Sequence, residues 1–263
     1  MERLRLHTGA GMPAIGFGTW QLEGGAETVR AALEAGYRMI DTSGDYGTQP
    51  AVGRAIRESD IPRAQVFLVT KVEEDEDGLE ATRDRLDDLG LDYADLVLIH
   101  RPPRHGAGSD IWEGLIQAKR QGLTRDIGVS NYTTDQIEEI TEATGERPVV
   151  NQVEWSPFGY TREMLEFCRS NGIVIQAYSP LTRGRRLDDH TLQGIGVRHG
   201  KSSAQVLLRW NIQLGTSPLP KASDREHILE NFTVFDFELS HEEMDVLNGL
   251  NERYSALAGL AYA

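Results

Sequence analysis

An alternation constrains this chain more than any single residue does. Eight short β-branched or apolar runs, Ala14–Gly18, Tyr37–Ile40, Val66–Thr70, Leu96–Ile99, Thr124–Val129, Val149–Val153, Ile173–Ala177 and Ser217–Leu219, are separated by segments of helical periodicity. Val29, Ala32, Leu33 and Gly36 step by three and four, as do Leu79, Thr82, Leu86 and Leu89, and Met164, Phe167 and Cys168. Gly36, Gly90, Gly122 and Gly172 stand where helix C-caps precede the next strand. Strands alternating with helices pair in parallel through right-handed crossovers. Eight such units in 263 residues predict an α/β fold, a closed (β/α)8 TIM barrel, with a doubly wound open sheet as the alternative. Pro218 and Pro220 bracket the eighth run and weaken its signal. The segment LRLHTGAGMP ahead of the first run reads as a β-hairpin closing the barrel floor. No Gly/Ser-rich or Pro-rich linker interrupts the chain, so residues 1–263 read as a single domain.

Composition excludes several partners. Twenty-seven basic against 41 acidic residues give a net charge of −14, a poor match for a nucleic-acid backbone, which needs basic surface. No apolar run approaches the roughly 20 residues that span a bilayer, so no membrane association is expected. MERLRLHTGAGMP lacks the apolar core and cleavage site of an export signal, and the single cysteine, Cys168, fits a reducing compartment; both point to the cytoplasm. The large net charge favours a monomer. Lysine occurs only at 71, 119, 201 and 221, a scarcity that fits either GC-rich codon usage or a high-salt habitat.

In a closed parallel barrel the reactive groups collect at the C-terminal strand ends. Those ends carry Thr19 and Trp20, Asp41, Lys71, His100, Ser130 with Asn131, Gln152 with Glu154, Tyr178 with Ser179, and Lys221, so two of the four lysines fall there. Asp41, Lys71 and His100 end three consecutive strands and should meet across the mouth, with Tyr46 folding back over them from the loop IDTSGDYG. A phenol titrates near 10, and an adjacent ammonium should lower that value. A carboxylate beside the lysine would keep it charged, and a neutral histidine could orient a carbonyl. Together these groups suit proton donation during reduction of a C=O group.

These residues sit in strings that resemble the aldo-keto reductase family over almost the whole chain. The strings are GFGTW at 16–20, YRMIDTSGDYG at 37–47, VFLVTK at 66–71, DLVLIH at 95–100, IGVSNY at 127–132, VVNQVEWSP at 149–157, AYSPL at 177–181, QVLLRW at 205–210, PLPKAS at 218–223 and ENFTVFDFELSHEEM at 230–244. Within the family the chain is similar to the prokaryotic 2,5-diketo-D-gluconate reductase-like members. The resemblance implies a barrel that reduces aldehydes and ketones by hydride transfer from NADPH. It implies Tyr46 as general acid, Lys71 and Asp41 as its tuning pair and His100 as the carbonyl-orienting group. Ser130, Asn131 and Gln152 match the residues that bind the nicotinamide carboxamide, and Tyr178 matches the aromatic stacked on that ring. Ser179 and Leu181 fall on the pyrophosphate side, Lys221 near the 2′-phosphate, and Glu230 with Asn231 at the adenine. Gly18, Thr19, Trp20, Ala222, Ser223 and His227 complete the implied cofactor contacts. Trp20, Tyr46, His100 and Arg101 are the implied substrate contacts, and no metal is implied.

The chain departs from the family pattern in places. His227 stands where the family carries an arginine and Asp224 lies nearby, which should weaken the 2′-phosphate site; Arg225 could compensate. NADH should therefore also be accepted. Arg101 replaces a common tryptophan and either attracts a carboxylate-bearing substrate or points outward. Thr48 and Gln49 replace an Asn-Glu pair, and the short tail NERYSALAGLAYA implies an open, tolerant pocket. The Gly-x-Gly-x-x-Ala string in HTGAGMPA contains Pro13 and precedes no helix, so a hairpin turn accounts for it better than a dinucleotide fingerprint. Lys71 could form a Schiff base, His100 could ligate a metal, and Glu73–Asp77 reads most simply as a solvated acidic loop. The alternative class is a non-catalytic nucleotide-binding barrel acting as a sensor or scaffold.

Overall fold

A computed structural model describes residues 2–257 and 259–263. An antiparallel hairpin of β1 (Arg3–Arg5) and β2 (Gly11–Pro13) comes first. The strands β3 (Phe17–Gly18), β4 (Met39–Asp41), β5 (Phe67–Val72), β6 (Ala94–Ile99), β7 (Thr124–Ser130), β8 (Val150–Glu154), β9 (Val174–Tyr178) and β10 (Ser217–Pro218) then form one eight-stranded parallel sheet in chain order. Between them run α1 (Gly25–Ala35), α2 (Gln49–Arg57), α3 (Gly78–Leu89), α4 (Ser109–Arg120), α5 (Thr134–Thr144), α6 (Arg162–Asn171), α7 (His190–His199) and α8 (Ser203–Gln213). The helices α9 (Arg225–Phe232) and α10 (His241–Asn248) follow the last strand. Among the described residues no helix is long and apolar enough to cross a membrane.

The sheet closes on itself, as the alternation predicts. Gly16 N donates to Pro218 O and Gly18 N to Pro220 O, both at 3.0 Å, joining β3 to β10. The two prolines have no N–H to return, so this seam carries bonds in one direction only. Leu219 between them faces the other neighbour and donates to Ala177 O at 2.9 Å. The prolines thus sit where a strand can spare its donors, and the eighth strand is short for that reason.

Most of the residues the periodicity picked out are buried, while Gly36, Leu79 and Phe167 are only partly so. Leu6 and Met12 of the hairpin pack against Met39, Phe67, Leu96, Leu98, Val150 and Leu219 inside the barrel, so the floor is closed by the hairpin. Val29, Ala32 and Leu33 of α1 and Leu86 and Leu89 of α3 pack against the outer face of the sheet. Gly36, Gly90 and Gly172 end their helices in the left-handed conformation, with φ of 114°, 61° and 67°. Several strands run one or two residues further than their apolar runs. Lys71, Ser130, Glu154 and Tyr178 therefore lie within strands. Their polar side chains are satisfied at the mouth, and the ladder continues through them.

Candidate active site

The strand ends converge on a cavity of about 850 Å³ at the C-terminal mouth of the barrel. At its base the Lys71 Nζ donates to both Asp41 carboxylate oxygens, at 2.8 and 2.9 Å, and to Thr42 O at 2.9 Å. Lys71 is fully buried, so this pairing is what allows an ammonium to exist there. Burial works against its charge, but Asp41 and then Tyr46 outweigh it and hold the lysine above its ordinary pKa. Gln152 Nε2 donates to Asp41 Oδ2 at 2.8 Å and to Gln176 Oε1 at 3.0 Å. The Asp41 carboxylate at the end of β4 thus accepts from Lys71 of the adjacent β5 and, across the barrel, from Gln152 of β8.

Tyr46 comes from a single 3-10 turn, Gly44–Tyr46, after β4 and lies with its ring 4.9 Å from the Lys71 Nζ. The expected lowering of its pKa is only part of what the structure gives. Burial pushes the phenol up; the Lys71 charge pulls it down, Asp41 and Asp45 push it up again, and the net direction is upward. Tyr46 is therefore held as a neutral phenol, the form a proton donor needs.

The His100 ring packs edge-on against Tyr46 at 5.7 Å between centroids and lines the cavity. Its Nδ1 lies 2.8 Å from Glu73 Oε2 and 3.1 Å from Oε1, with Asp45 Oδ1 at 3.7 Å. Glu73 lies in what the sequence presents as a solvated acidic loop, yet it is half-buried and its carboxylate faces the His100 ring. A signal for it exists in the sequence. Side chains two apart on a strand share a face, and Glu73 is two residues beyond Lys71. Asp45, Glu73 and His100 are grouped closely enough to offer ligands to one cation. Arg101 meets the Asp45 part of that charge, its guanidinium lying 3.4 Å from Asp45 and 3.8 Å from the neighbouring Glu74, while Glu73 is met by His100 and Ser43. Arg101 lines the cavity rim yet remains about half exposed, so the inward and outward readings meet at this rim.

Ser130, Asn131 and Tyr178 form a second connected set. Ser130 Oγ donates to Gln152 O at 2.7 Å, Asn131 Nδ2 donates to Ser130 Oγ and His100 O at 3.1 Å, and Tyr178 Oη donates to Asn131 Oδ1 at 2.8 Å. Six non-glycine residues among those described have left-handed φ, and Gln21, Asn131, Ser179 and Arg183 of these line the cavity. Such strain gathers where a fold must hold an unusual loop shape. Arg183, which sequence reasoning passed over, stacks on Trp20 at 4.5 Å. It also donates to Gln21 Oε1 at 3.4 Å, while Lys221 Nζ donates to Gln21 O at 3.1 Å.

The remaining expected residues divide. Gly18, Trp20, Ser179, Leu181, Lys221, Ala222, His227, Glu230 and Asn231 line the cavity. A Cβ at Gly18 would stand 3.1 Å from Leu219 O, so any larger residue there would crowd the backbone beside β10. Thr19 is buried behind the cavity wall, donating to Asp41 O at 2.8 Å, and Ser223 is exposed beside it. Asp224 caps α9 through His227 N at 2.9 Å and holds His227 Nδ1 at 2.6 Å, while Arg225 is turned away to Glu34 at 2.5 Å. The N-terminal residues Ser202, Ser203 and Ala204 around α8 also line the cavity. Helix N-termini together with Lys221 and Arg183 make a wall that favours phosphate. The residues present therefore suit a nicotinamide dinucleotide.

The family model of the aldo/keto reductase family matches residues 14–252. The chain belongs to the aldo/keto reductase family. A glyoxal reductase of Bacillus subtilis is 40% identical over 258 residues, spanning 95% of this chain and 93% of that protein. An aldo-keto reductase of a Mycobacterium species is 44% identical over 254 residues, 94% and 90% of the two chains. Among solved structures, a Bombyx mori aldo-keto reductase in complex with NADP superposes with a TM-score of 0.92 at 33% identity, covering 98% of this chain and 95% of that one. The Brucella melitensis aldo/keto reductase gives 0.90 at 38% identity, covering 95% and 99%. The aldo-keto reductase fold of this chain thus supports carbonyl reduction with a nicotinamide cofactor.

Proposed function

We propose that this aldo-keto reductase converts small aldehydes and ketones to alcohols with NADPH, and with NADH less favourably, Tyr46 supplying the proton. The observation that carries this reading is the buried Asp41–Lys71 pair set beside the Tyr46 ring at the cavity base. A reduced nicotinamide nucleotide, when bound, supplies the hydride. Lys221, His227, Glu230 and Asn231 would hold its adenosine end, and Ser130, Asn131, Gln152 and Tyr178 its nicotinamide end. Tyr46 Oη gives its proton to the carbonyl oxygen as negative charge builds there, and the Lys71 ammonium stabilises the phenolate left behind. His100 orients the same oxygen.

The rim supports neutral carbonyls over keto acids. Arg101 is paired with Asp45 and Glu74, so its charge is not free to draw in a carboxylate. The named activity of the Bacillus relative, on glyoxal, is of that neutral kind. The same reading takes residues 1–263 as one barrel unit, monomeric and cytoplasmic, in keeping with a buried thiol at Cys168 that burial pushes up to about 12. The non-catalytic alternative is not favoured, because Tyr46, Lys71 and His100 are all present and grouped at the mouth.

The test is NADPH consumption with an activated aldehyde or an α-keto ester, repeated with NADH. Turnover is expected with both cofactors, with a preference for NADPH in kcat/KM below about a thousandfold, roughly 4 kcal/mol. No turnover with either cofactor across a panel of carbonyls would contradict the reading.

A further inference from the structure

Two carboxylates face the Nδ1 of His100, Glu73 at 2.8 Å and Asp45 at 3.7 Å. Ser43 Oγ lies 3.5 Å from the same nitrogen and 3.2 Å from Glu73 Oε1, to which it donates. Burial raises the Glu73 carboxyl, but hydrogen bonds from His100 and Ser43 outweigh it and hold the group below the usual carboxylate range. An ionised carboxylate only accepts. The proton of the 2.8 Å contact therefore belongs to His100 Nδ1. A neutral imidazole carries one N–H, so with Nδ1 protonated its Nε2 is a bare acceptor. A bare nitrogen repels a carbonyl oxygen instead of orienting it. The neutral histidine expected from sequence cannot do both tasks.

We propose that Glu73 is a positioning residue that fixes His100 in its Nδ1–H form, so that His100 hydrogen-bonds a substrate carbonyl only when Nε2 carries a second proton. This rests on the reading of His100 as the group that orients the carbonyl. When the second proton leaves, the carbonyl keeps a single donor, the Tyr46 hydroxyl, and reduction slows. The charged and titratable groups around His100 are Asp45 and Tyr46 from the turn after β4, Lys71 and Glu73 at the end of β5, and Arg101 beside it. Asn131 of the β7 end touches only the His100 carbonyl. Of these, Glu73 makes the short contact to the ring.

Two measurements on the whole protein decide it. In long-range proton–nitrogen correlation spectra of labelled wild type, with His100→Asn assigning the signals, neutral His100 should show a protonated Nδ1 and a bare Nε2. The opposite tautomer would overturn the proposal. The second is kcat/KM for aldehyde reduction against pH in wild type and Glu73→Gln. Wild-type kcat/KM should fall as the second proton is lost and then level off at the rate that the Tyr46 donor alone supports. In Glu73→Gln the amide can donate to Nδ1 and leave a proton on Nε2, so the decline should move up by at least one pH unit. Superimposable profiles would also overturn the proposal. A wild type without turnover would contradict the reductase reading, and the nitrogen shifts would still decide the tautomer.

Discussion

Asp41 and Lys71 show how much a single position can carry. Neither has water to fall back on, and their attraction is what offsets removing both charges from solvent. Lys71→Met should lower the unfolding free energy by about 3–5 kcal/mol, because Asp41 is left buried and unpaired. Adding Asp41→Asn should restore part of that loss in denaturant titrations; a double variant less stable than the single one would argue against the pairing. His227 is the other informative position. Its hydrogen bond and then its charge interaction with Asp224 raise its pKa, so it stays an imidazolium to higher pH than an ordinary histidine. A cation at the adenosine end favours the 2′-phosphate. The ratio of NADH to NADPH dissociation constants should therefore shrink as pH rises through that raised value, and His227→Ala should flatten the trend. An unchanged ratio would place the phosphate elsewhere. Asp41, Tyr46, Lys71 and His100 were legible as a group because reactive side chains collect at the C-terminal strand ends of a barrel, and three of these four end consecutive strands. Glu73 was hidden in an acidic run that looks like any solvated loop, and only its two-residue step from Lys71 distinguishes it. The direction of the Tyr46 shift was not legible either, since it depends on burial that no sequence pattern states.

At the scale of elements, glycine decides how closely helices approach. A Cβ at Gly53 in α2 would stand 1.7 Å from Leu89 O in α3, whereas one at Gly194 in α7 would meet nothing within 4 Å. Gly53→Ala should destabilise the protein by about 1–3 kcal/mol through forced separation of the helices. Gly194→Ala should stabilise it by up to about 1 kcal/mol through helix propensity alone. Denaturation midpoints moving in the same direction for both would contradict this packing. All eight strands were legible as apolar runs, because buried parallel strands leave nearly continuous β-branched segments. Their last residues were not, since Lys71, Ser130 and Tyr178 extend the ladder with polar side chains that the mouth satisfies. The seam at Pro218 and Pro220 was legible only as a weakness. Whether a proline lacks a needed donor depends on which neighbour its N–H would face.

The molecule as a whole carries a net charge of −14, and self-repulsion of that size works against the compact state. Raising monovalent salt from about 0.01 M to 1 M shortens the screening length from roughly 30 Å to 3 Å. The Tm should rise over that range; a fall would mean that attractive surface pairs outweigh the repulsion. Exposed large apolar side chains are few among the described residues, and two of them, Trp20 and Leu257, rim the cavity.

In the proposed reaction Tyr46, a phenol kept neutral by burial and set beside Lys71, protonates the carbonyl oxygen. Tyr46→Phe removes the hydroxyl and leaves the ring. Its kcat/KM for aldehyde reduction should fall by about 10²–10⁴-fold with NADPH affinity preserved. Turnover equal to that of wild type, at the same bound cofactor, would assign the proton to another group.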